Sequence, residues 1–459
     1  MNAYQGKNVL IIGAARQGTA LARFMVNQGA RVTLNDRQPA EKLQSVISSL
    51  SGLEIHWVLG HHPLEILDGL DLLCVSGGVP LEMPLVSTAI ARGIPVTNDS
   101  QIFMESVKAP VVGITGSAGK TTTTTLFGRI AEAQVKAPRK AWVGGNIGKP
   151  LVEYLNEIAE NDLVIQELSS FQLELMTISP RISAILNITP NHLDRHADMA
   201  AYIAAKARII EFQHPGDIAV LNHEDREAWK LREMVRGELI SFGIEPVTGD
   251  HTQVLVEDDQ IVARSAHTKK LLLDTRLIQL RGRHNLMNVL AASALAFALD
   301  FDPTAIAAGV EGFTGVNHRT QLVRMVNGVS WINDSIATAP ERTLAAIKSF
   351  NEPIILLLGG RDKNLPWDEL AAIIHQRVEH VIVFGEAADK ILNALGQPEG
   401  ADRLQTISSR VGMIEALEEA DRIAAPGDVV LLSPGCTSYD AFKDFEERGE
   451  TFMNWVNAL

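Results

Sequence analysis

The sequence predicts an α/β fold in three domains, each built on a mainly parallel sheet flanked by helices. Three observations predict it. Short apolar runs that end in small or polar residues alternate with helical patterns, the rhythm of βαβ units. Two of these runs open directly into glycine-containing turns and then helical pattern, at Gly13 and at Gly116–Gly119. And 459 residues exceed what one ordinary core holds, so about two to four domains are expected.

The elements follow in chain order. The first apolar run is Val9–Ile12, closed by Gly13. Later runs are Pro110–Thr115, Leu163–Glu167, Ala184–Thr189, Ile354–Leu358, Val381–Phe384 and Val429–Leu432. A segment from about Gly243 to Leu280 alternates in character and predicts an antiparallel β excursion. Residues 1–108 form a first segment, 109–313 a second that begins with its own strand, Gly-loop and helix, and 314–459 a third that starts after Gly312–Gly315. In parallel sheets ligands sit outside the carboxyl ends of strands, so chemistry is sought just after each run.

Composition narrows the class. With 46% hydrophobic and 21% charged residues the chain is globular, and a net charge of -14 argues against a general nucleic-acid binder. Cys74 and Cys436 are the two cysteines, far apart, so neither a disulfide framework nor a zinc pattern can be built. No apolar stretch approaches the roughly 20 residues a spanning helix needs. The expectation is a cytoplasmic protein without membrane insertion.

The strongest local signal is Thr115-Gly116-Ser117-Ala118-Gly119-Lys120-Thr121, followed by Thr122 and a helical run. Glycines let backbone N–H groups turn toward phosphate oxygens, and the helix N-terminus adds its dipole. Lys120 would neutralise the β- and γ-phosphates and Thr121 would bind Mg²⁺. The strict pattern wants glycine six residues before Lys120, where Ile114 stands, so an ordinary Gly-rich turn is the competing reading.

Glu167, in Gln166-Glu167-Leu168-Ser169-Ser170-Phe171, ends an apolar strand, where a carboxylate is costly unless it meets a cation or a cleft. It reads as a Mg²⁺ ligand or as a helix cap. His192, in Asn187-Ile188-Thr189-Pro190-Asn191-His192-Leu193-Asp194-Arg195, reads as a metal ligand or an orienting group, and Asp194 as another candidate cap. Lys206 lies on a helix expected over Ala200–Ile210 and by itself reads as a solvated lysine. After Arg281-Gly282-Arg283-His284, Asn285 and Asn288 are one helical turn apart and can face one adenine or ribose, or Asn285 can cap its helix.

In the third segment Asn317-His318-Arg319 precedes a strand and Asn333-Asp334-Ser335 closes one. Arg319 suits a triphosphate and Asp334 a ribose, provided the third segment closes over the second. Gly359-Gly360-Arg361-Asp362-Lys363 and Ser433-Pro434-Gly435-Cys436-Thr437-Ser438-Tyr439-Asp440 are polar strand-end loops suited to a small zwitterion, or simple βα turns.

Together with Gly144-Gly145-Asn146-Ile147-Gly148 and Phe442-Lys443-Asp444-Phe445-Glu446-Glu447-Arg448-Gly449, these motifs resemble the Mur ligases, in the family's order and over nearly the whole chain. The resemblance implies a Rossmann-like N-terminal domain for the nucleotide sugar, a P-loop central Mur ligase domain for ATP and a Rossmann-like C-terminal domain for the amino acid. Gly13-Ala14-Ala15-Arg16-Gln17-Gly18 lacks the middle glycine of a dinucleotide fingerprint, which disfavours NAD.

The resemblance further implies that Gly116, Ser117, Ala118, Gly119, Lys120, Thr121, Thr122, Asn285, Asn288, Arg319 and Asp334 contact ATP. It implies that Thr121, Glu167, His192 and a carbamylated Lys206 hold two Mg²⁺ ions, and that Asp36, Arg37, Ser76 and Asn146 contact a UDP-sugar substrate. Thr338, Lys363, Ser438, Tyr439 and Phe445 fall around the incoming amino acid. Lys120, Glu167, His192 and Lys206 form the implied catalytic set.

The implied reaction joins glutamate to the alanine carboxylate of UDP-N-acetylmuramoyl-L-alanine, through an acyl phosphate, in a monomer. One string departs: the family's usual Asp-Ser-Lys-Ala-Thr-Asn is here Asp334-Ser335-Ile336-Ala337-Thr338-Ala339. That removes a cation and an amide near the glutamate site and leaves D- or L-glutamate open. The competing classes are a folylpolyglutamate-synthetase-like ligase, which lacks a UDP-binding first domain, and a P-loop switch ATPase, which needs no amino acid.

Overall fold

The computed structural model describes residues 3–192, 195–280, 282–363, 365–398 and 403–459. Asp194 as a cap, and Leu193 and Arg281 within their motifs, lie outside the described residues.

Three sheets organise the chain. The first holds β1 (Asn8–Ile12), β2 (Arg31–Asp36), β3 (Ile55–Leu59), β4 (Leu72–Val75) and β5 (Val96–Thr97), all parallel, in the order β3-β2-β1-β4-β5. The chain reverses its winding between β1 and β4, so the crevice outside their carboxyl ends is the natural ligand position.

The second sheet holds β6 (Val111–Thr115), β7 (Ala141–Gly145), β8 (Leu163–Glu167), β9 (Ile182–Ile185), β10 (Ile218–Asn222), β11 (Glu238–Phe242), β12 (Thr252–Glu257), β13 (Gln260–Arg264) and β14 (Lys269–Asp274). Its order is β14-β13-β12-β11-β10-β9-β6-β8-β7. Pairing is parallel from β7 to β12 and antiparallel from β12 to β14, so the expected antiparallel excursion extends this sheet. β6 is buried along its whole length because strands flank it on both sides and helices cover both faces.

The third sheet holds β15 (Gln321–Val326), β16 (Val329–Asn333), β17 (Ile354–Gly359), β18 (His380–Phe384), β19 (Thr406–Arg410) and β20 (Val429–Gly435), in the order β15-β16-β20-β17-β18-β19. Only β15 runs antiparallel. Leu356, Leu358, Val381, Val383 and Leu431 fill one side of this sheet, and Trp331, Ile355, Leu357, Val430 and Phe452 the other. That two-sided burial explains the unbroken apolar runs in the sequence.

One boundary differs from expectation. The run Ala184–Thr189 is a strand only to Ile185. Leu186 and Ile188 stay buried beneath the following chain, while Asn187 turns away to clamp the loop after β6. Apolar character there reports burial after the strand has ended.

Residues Met1–Phe313 form one compact unit and Thr314–Leu459 another. Within the first unit the two sheets are tied by side chains. Arg16 donates to the Asn146 carbonyl at 3.1 Å, Arg195 to the Gly78 carbonyl at 2.8 Å, and Asn98 to the Gln172 carbonyl at 2.7 Å. Among the described residues no helix is long and apolar enough to cross a membrane.

Candidate functional site

The loop after β6 passes into the helix Lys120–Gln134, whose N-cap Gly119 has φ +81°. A Cβ there would stand 2.3 Å from Asn288 Oδ1, so the position requires glycine twice over, for its conformation and for the approach of Asn288. Thr121 and Thr122 lie in the first turn of this helix, where unsatisfied N–H groups and the dipole favour an anion.

Two lysines converge on this loop. Lys120 Nζ and Lys206 Nζ each donate to the Gly116 carbonyl at 2.9 Å, and Lys206 reaches Thr115 Oγ1 at 3.4 Å. Lys206 is on the helix Met199–Glu211, 1% exposed, over the Tyr202 ring at 4.8 Å. Burial, followed by the charge of Lys120, holds its amine well below the ordinary lysine range, while Glu167 pulls the other way. The solvated-lysine reading is therefore corrected: Lys206 is among the largest buried side chains of the protein.

Glu167 closes β8 and is 1% exposed. Its Oε1 accepts from Asn146 Nδ2 at 2.9 Å, and its Oε2 is buried with no hydrogen-bond partner. An orphaned carboxylate oxygen in a buried site is an acceptor for a cation. The amide of Asn146, the residue that the family resemblance sets against the sugar nucleotide, is bonded to Glu167. Among the described residues no three His, Cys, Asp or Glu side chains stand together as a metal site. A divalent ion here would draw on phosphate oxygens, Thr121 and Glu167, with any further carboxylate supplied by modification. That donor set suits Mg²⁺, a hard oxygen-seeking ion.

His192, at φ 55°, packs its ring against Phe171 at 5.1 Å. Phe171 follows Glu167 in sequence and also stacks on His196 and lies under the Arg195 guanidinium at 4.9 Å. Phe171 thus orients the His192 loop, a role the sequence motif did not reveal.

The sequence also gave no role to Asn187. Its Oδ1 accepts from Ala118 N at 2.8 Å, and its Nδ2 donates to the Ala118 carbonyl at 3.0 Å. Ser117 Oγ bonds Thr189 and Tyr202 Oη. The loop is therefore fixed before any ligand arrives. Asn187→Ala is expected to raise the KM for ATP and lower kcat/KM for it by about 10–100-fold, the scale of a misplaced binding loop, measured by phosphate release. Unchanged ATP kinetics would show that the clamp is dispensable.

On the helix Arg283–Ala298, Asn288 Nδ2 donates to Asn285 Oδ1 at 3.2 Å and Asn288 Oδ1 accepts from Thr123 Oγ1 at 3.3 Å, so both asparagines stand beside the loop. At the first sheet, Asp36 accepts from Ala14 N at 2.8 Å and Gln38 N at 2.8 Å, and Ser76 donates to the Gly13 carbonyl at 3.3 Å. These residues meet at the carboxyl ends of β1, β2 and β4, with Arg37 exposed beside them. Asp36 organises the turn through both its oxygens.

In the second unit, Asp334 is buried and accepts from Thr320 N at 3.0 Å and Ser433 Oγ at 2.7 Å. Burial raises its carboxyl from 3.8 to about 6, against those bonds and the charge of Arg319. A carboxyl raised on folding costs nothing below the unfolded value. Its cost grows as pH rises from about 4 to about 6 and is complete above that. Asp334→Asn is expected to remove this loss of stability, so thermal denaturation of wild type and variant should diverge between pH 4 and 6 in the variant's favour. Parallel curves would refute it.

Lys363 Nζ donates to Thr338 Oγ1 at 3.3 Å, and burial and then Arg342 lower its amine from the ordinary value. Ser438 is buried, whereas Tyr439 is 61% exposed. Phe445 opens the helix Phe445–Ala458 and lies edge-on to His318 at 6.2 Å. Arg319, Asp334, Thr338, Lys363, Ser438 and Phe445 thus belong to the second compact unit, and the loop-and-lysine cluster to the first.

A glycine loop at a helix N-terminus, with two converging lysines and an orphaned glutamate, on three sheets of this order, is what a nucleotide-dependent ligase needs, and the chain belongs to the Mur ligase family. Residues 7–98 match the Mur ligase MurD-like N-terminal domain, 114–296 the Mur ligase middle domain and 318–436 the Mur ligase glutamate ligase domain.

More particularly, the chain is 40% identical over 98% of its length to the UDP-N-acetylmuramoylalanine–D-glutamate ligase of Symbiobacterium thermophilum, covering 97% of that relative. It is 39% identical over 99% of its length to the ligase of the same name from Pelotomaculum thermopropionicum, covering 98% of it. Among solved structures, UDP-N-acetylmuramate–alanine ligase from Thermotoga maritima shares the fold with a TM-score of 0.56 at 18% identity, over 98% of this chain and 99% of that one.

Proposed function

We propose that this chain is the ATP-dependent ligase that joins D-glutamate to the alanine carboxylate of UDP-N-acetylmuramoyl-L-alanine in peptidoglycan synthesis, acting as a cytoplasmic monomer. The observation that carries the reading is the convergence of Lys120, Lys206 and Glu167 on the loop after β6. The Lys120 ammonium on that loop, next to a helix N-terminus, forms a site for a polyanion. The names of the full-length relatives supply the substrate pair.

In this reading residues 1–108 take the UDP-sugar, with Asp36, Arg37 and Ser76 at the strand ends. Residues 109–313 take ATP, with Gly116 to Thr122, Asn285 and Asn288 around it. Residues 314–459 take glutamate through Thr338, Lys363, Ser438, Tyr439 and Phe445, and carry Arg319 and Asp334, which suit a triphosphate and a ribose.

The γ-phosphoryl group of ATP passes to the alanine carboxylate, giving an acyl phosphate and ADP. The glutamate amine then attacks the acyl carbon, and the amide forms as phosphate leaves. Lys120 stabilises charge on the transferring oxygens from a fixed position. Thr121, Glu167 and His192 would hold Mg²⁺, and Asn146 fixes the rotamer of Glu167. When bound, the ion would supply Lewis-acid neutralisation of the phosphate charge. Lys206, whose amine burial lowers beside Glu167, is the position for a carbamate, whose carboxylate would complete the donor set for a second ion.

The test is phosphate release with ATP, Mg²⁺ and UDP-N-acetylmuramoyl-L-alanine, with D- and L-glutamate supplied separately. Release that depends on D-glutamate is expected. Dependence on L-glutamate would make Ile336 and Ala339 marks of a variant ligase, and release without any amino acid would favour a switch ATPase.

A further inference from the structure

Arg448 lies in the first turns of the helix Phe445–Ala458, yet its side chain is 0% exposed. A cation there is opposed both by burial and by the positive end of the helix dipole. Among the described residues it has no carboxylate hydrogen-bond partner. Its guanidinium instead donates to backbone and hydroxyl oxygens of three different loops. Nε donates to Ser335 Oγ at 3.0 Å and Nη2 to the Ser335 carbonyl at 2.9 Å, just after β16. Nη1 donates to the Gly359 carbonyl at 3.3 Å, at the end of β17. Nη2 also donates to the Cys436 carbonyl at 3.1 Å, just after β20.

These are the carboxyl ends of the three adjacent central strands of the third sheet. The same loops carry Thr338, Lys363 and Ser438. They are also laced to one another. Gly435 N donates to the Ala337 carbonyl at 2.9 Å, and Arg361 and Thr437 exchange backbone bonds at 2.8 and 3.0 Å. Gly360 has no room for a side chain, since a Cβ would meet the Thr437 carbonyl at 2.1 Å and Arg448 Nη1 at 3.0 Å. Ser335 Oγ passes the link on to the Phe445 carbonyl at 2.8 Å.

We propose that Arg448 is a positioning residue for the amino-acid substrate: its buried guanidinium sets the relative placement of the three loops that present Thr338, Lys363 and Ser438. The proposal rests on the reading that this unit binds glutamate. Burial lowers the guanidinium only to about 10, so it remains charged at neutral pH. Only a planar fork reaches three loops at once; a lysine keeps the charge but offers a single donor atom.

The experiment compares wild type, Arg448→Lys and Ser335→Ala in two assays. One is glutamate-dependent phosphate release. The other is phosphate release with hydroxylamine in place of glutamate, which traps the acyl phosphate without using the amino-acid loops. Arg448→Lys is expected to raise the KM for glutamate by about tenfold or more, the scale of losing charge-assisted hydrogen bonds. Its hydroxylamine-dependent rate and its KM for ATP should stay near wild type.

Ser335→Ala, which removes one of the four bonds, should raise the KM for glutamate by a smaller factor, and it decides the matter if Arg448→Lys does not fold. An unchanged KM for glutamate, or equal losses in both assays, would overturn the proposal and leave Arg448 a general stabiliser. Wild type showing hydroxylamine-dependent release but none with glutamate would overturn the functional reading on which it rests.

Discussion

Replacing Lys120 by alanine is expected to lower kcat by roughly 10³-fold, the scale of removing a fixed electrostatic group from a transition state. The melting temperature should hardly move. Lys120 is part-buried and folds back over its own loop, with bonds to the Gly116 and Ser117 carbonyls at 2.9 and 3.3 Å. Those carbonyls lie at the edge of a loop that Asn187 and Ser117 already hold, so losing the lysine does not release it.

Its charge is one of the causes that lower the Lys206 amine, so in the alanine variant that amine should lie closer to the ordinary lysine value. The KM for the UDP-sugar should stay within about twofold, because the residues assigned to it sit on the first sheet and a rate effect confined to the transition state leaves ground-state binding alone. The measurement is steady-state ligation beside a thermal melt. Turnover within about tenfold of wild type would remove the phosphate-loop assignment, since no other amine occupies the first turn of that helix.

Much of this site was legible in the sequence because its carriers stand at strand ends. Lys120, Glu167 and the His192 loop each follow an apolar run, and a parallel sheet brings such ends to one edge. Partners contributed from elsewhere were not legible. Asn187 and Ser117 lie far apart in the chain and meet because β9 and β6 are neighbours in the sheet, as the pairing of Thr115 with Ile185 records.

Lys206 looked solvated because its helix reads as alanine-rich and weakly patterned. Only the position of that helix over the loop buries the amine. Asn146 reads as a substrate contact, and nothing local shows that its amide also donates to Glu167, one strand away in the register of β7 and β8. Arg448 is the extreme case: a charged residue between two glutamates and a glycine reads as surface, and nothing local announces that three strand ends surround it.

Lys206 also gives the prediction whose activity and stability parts run in opposite directions. A lysine whose folded-state value is depressed gives up its proton at a lower pH in the folded protein than in the unfolded chain. The unfolded state then binds more protons, so stability rises with pH until the ordinary lysine value near 10 is reached, where the penalty ends.

Lys206→Met removes the penalty with a side chain of similar length. In carbonate-free buffer the variant should melt above wild type at pH 7, and the gap should close toward pH 10. Its activity should nevertheless fall by about 10³-fold, as expected for losing a ligand-bearing group at the reacting phosphate. Lys206→Ala, which leaves a cavity beside Thr115 and Tyr202, should recover part of its activity when short carboxylates such as formate or acetate are added.

A methionine variant that melts below wild type at every pH would show that the buried amine is a net stabiliser. Absence of carboxylate rescue, with the alanine variant folded, would count against the carbamate while leaving the lysine itself essential. If both parts hold, the protein keeps in the core of its first unit a buried amine that weakens the fold at neutral pH and that its activity requires.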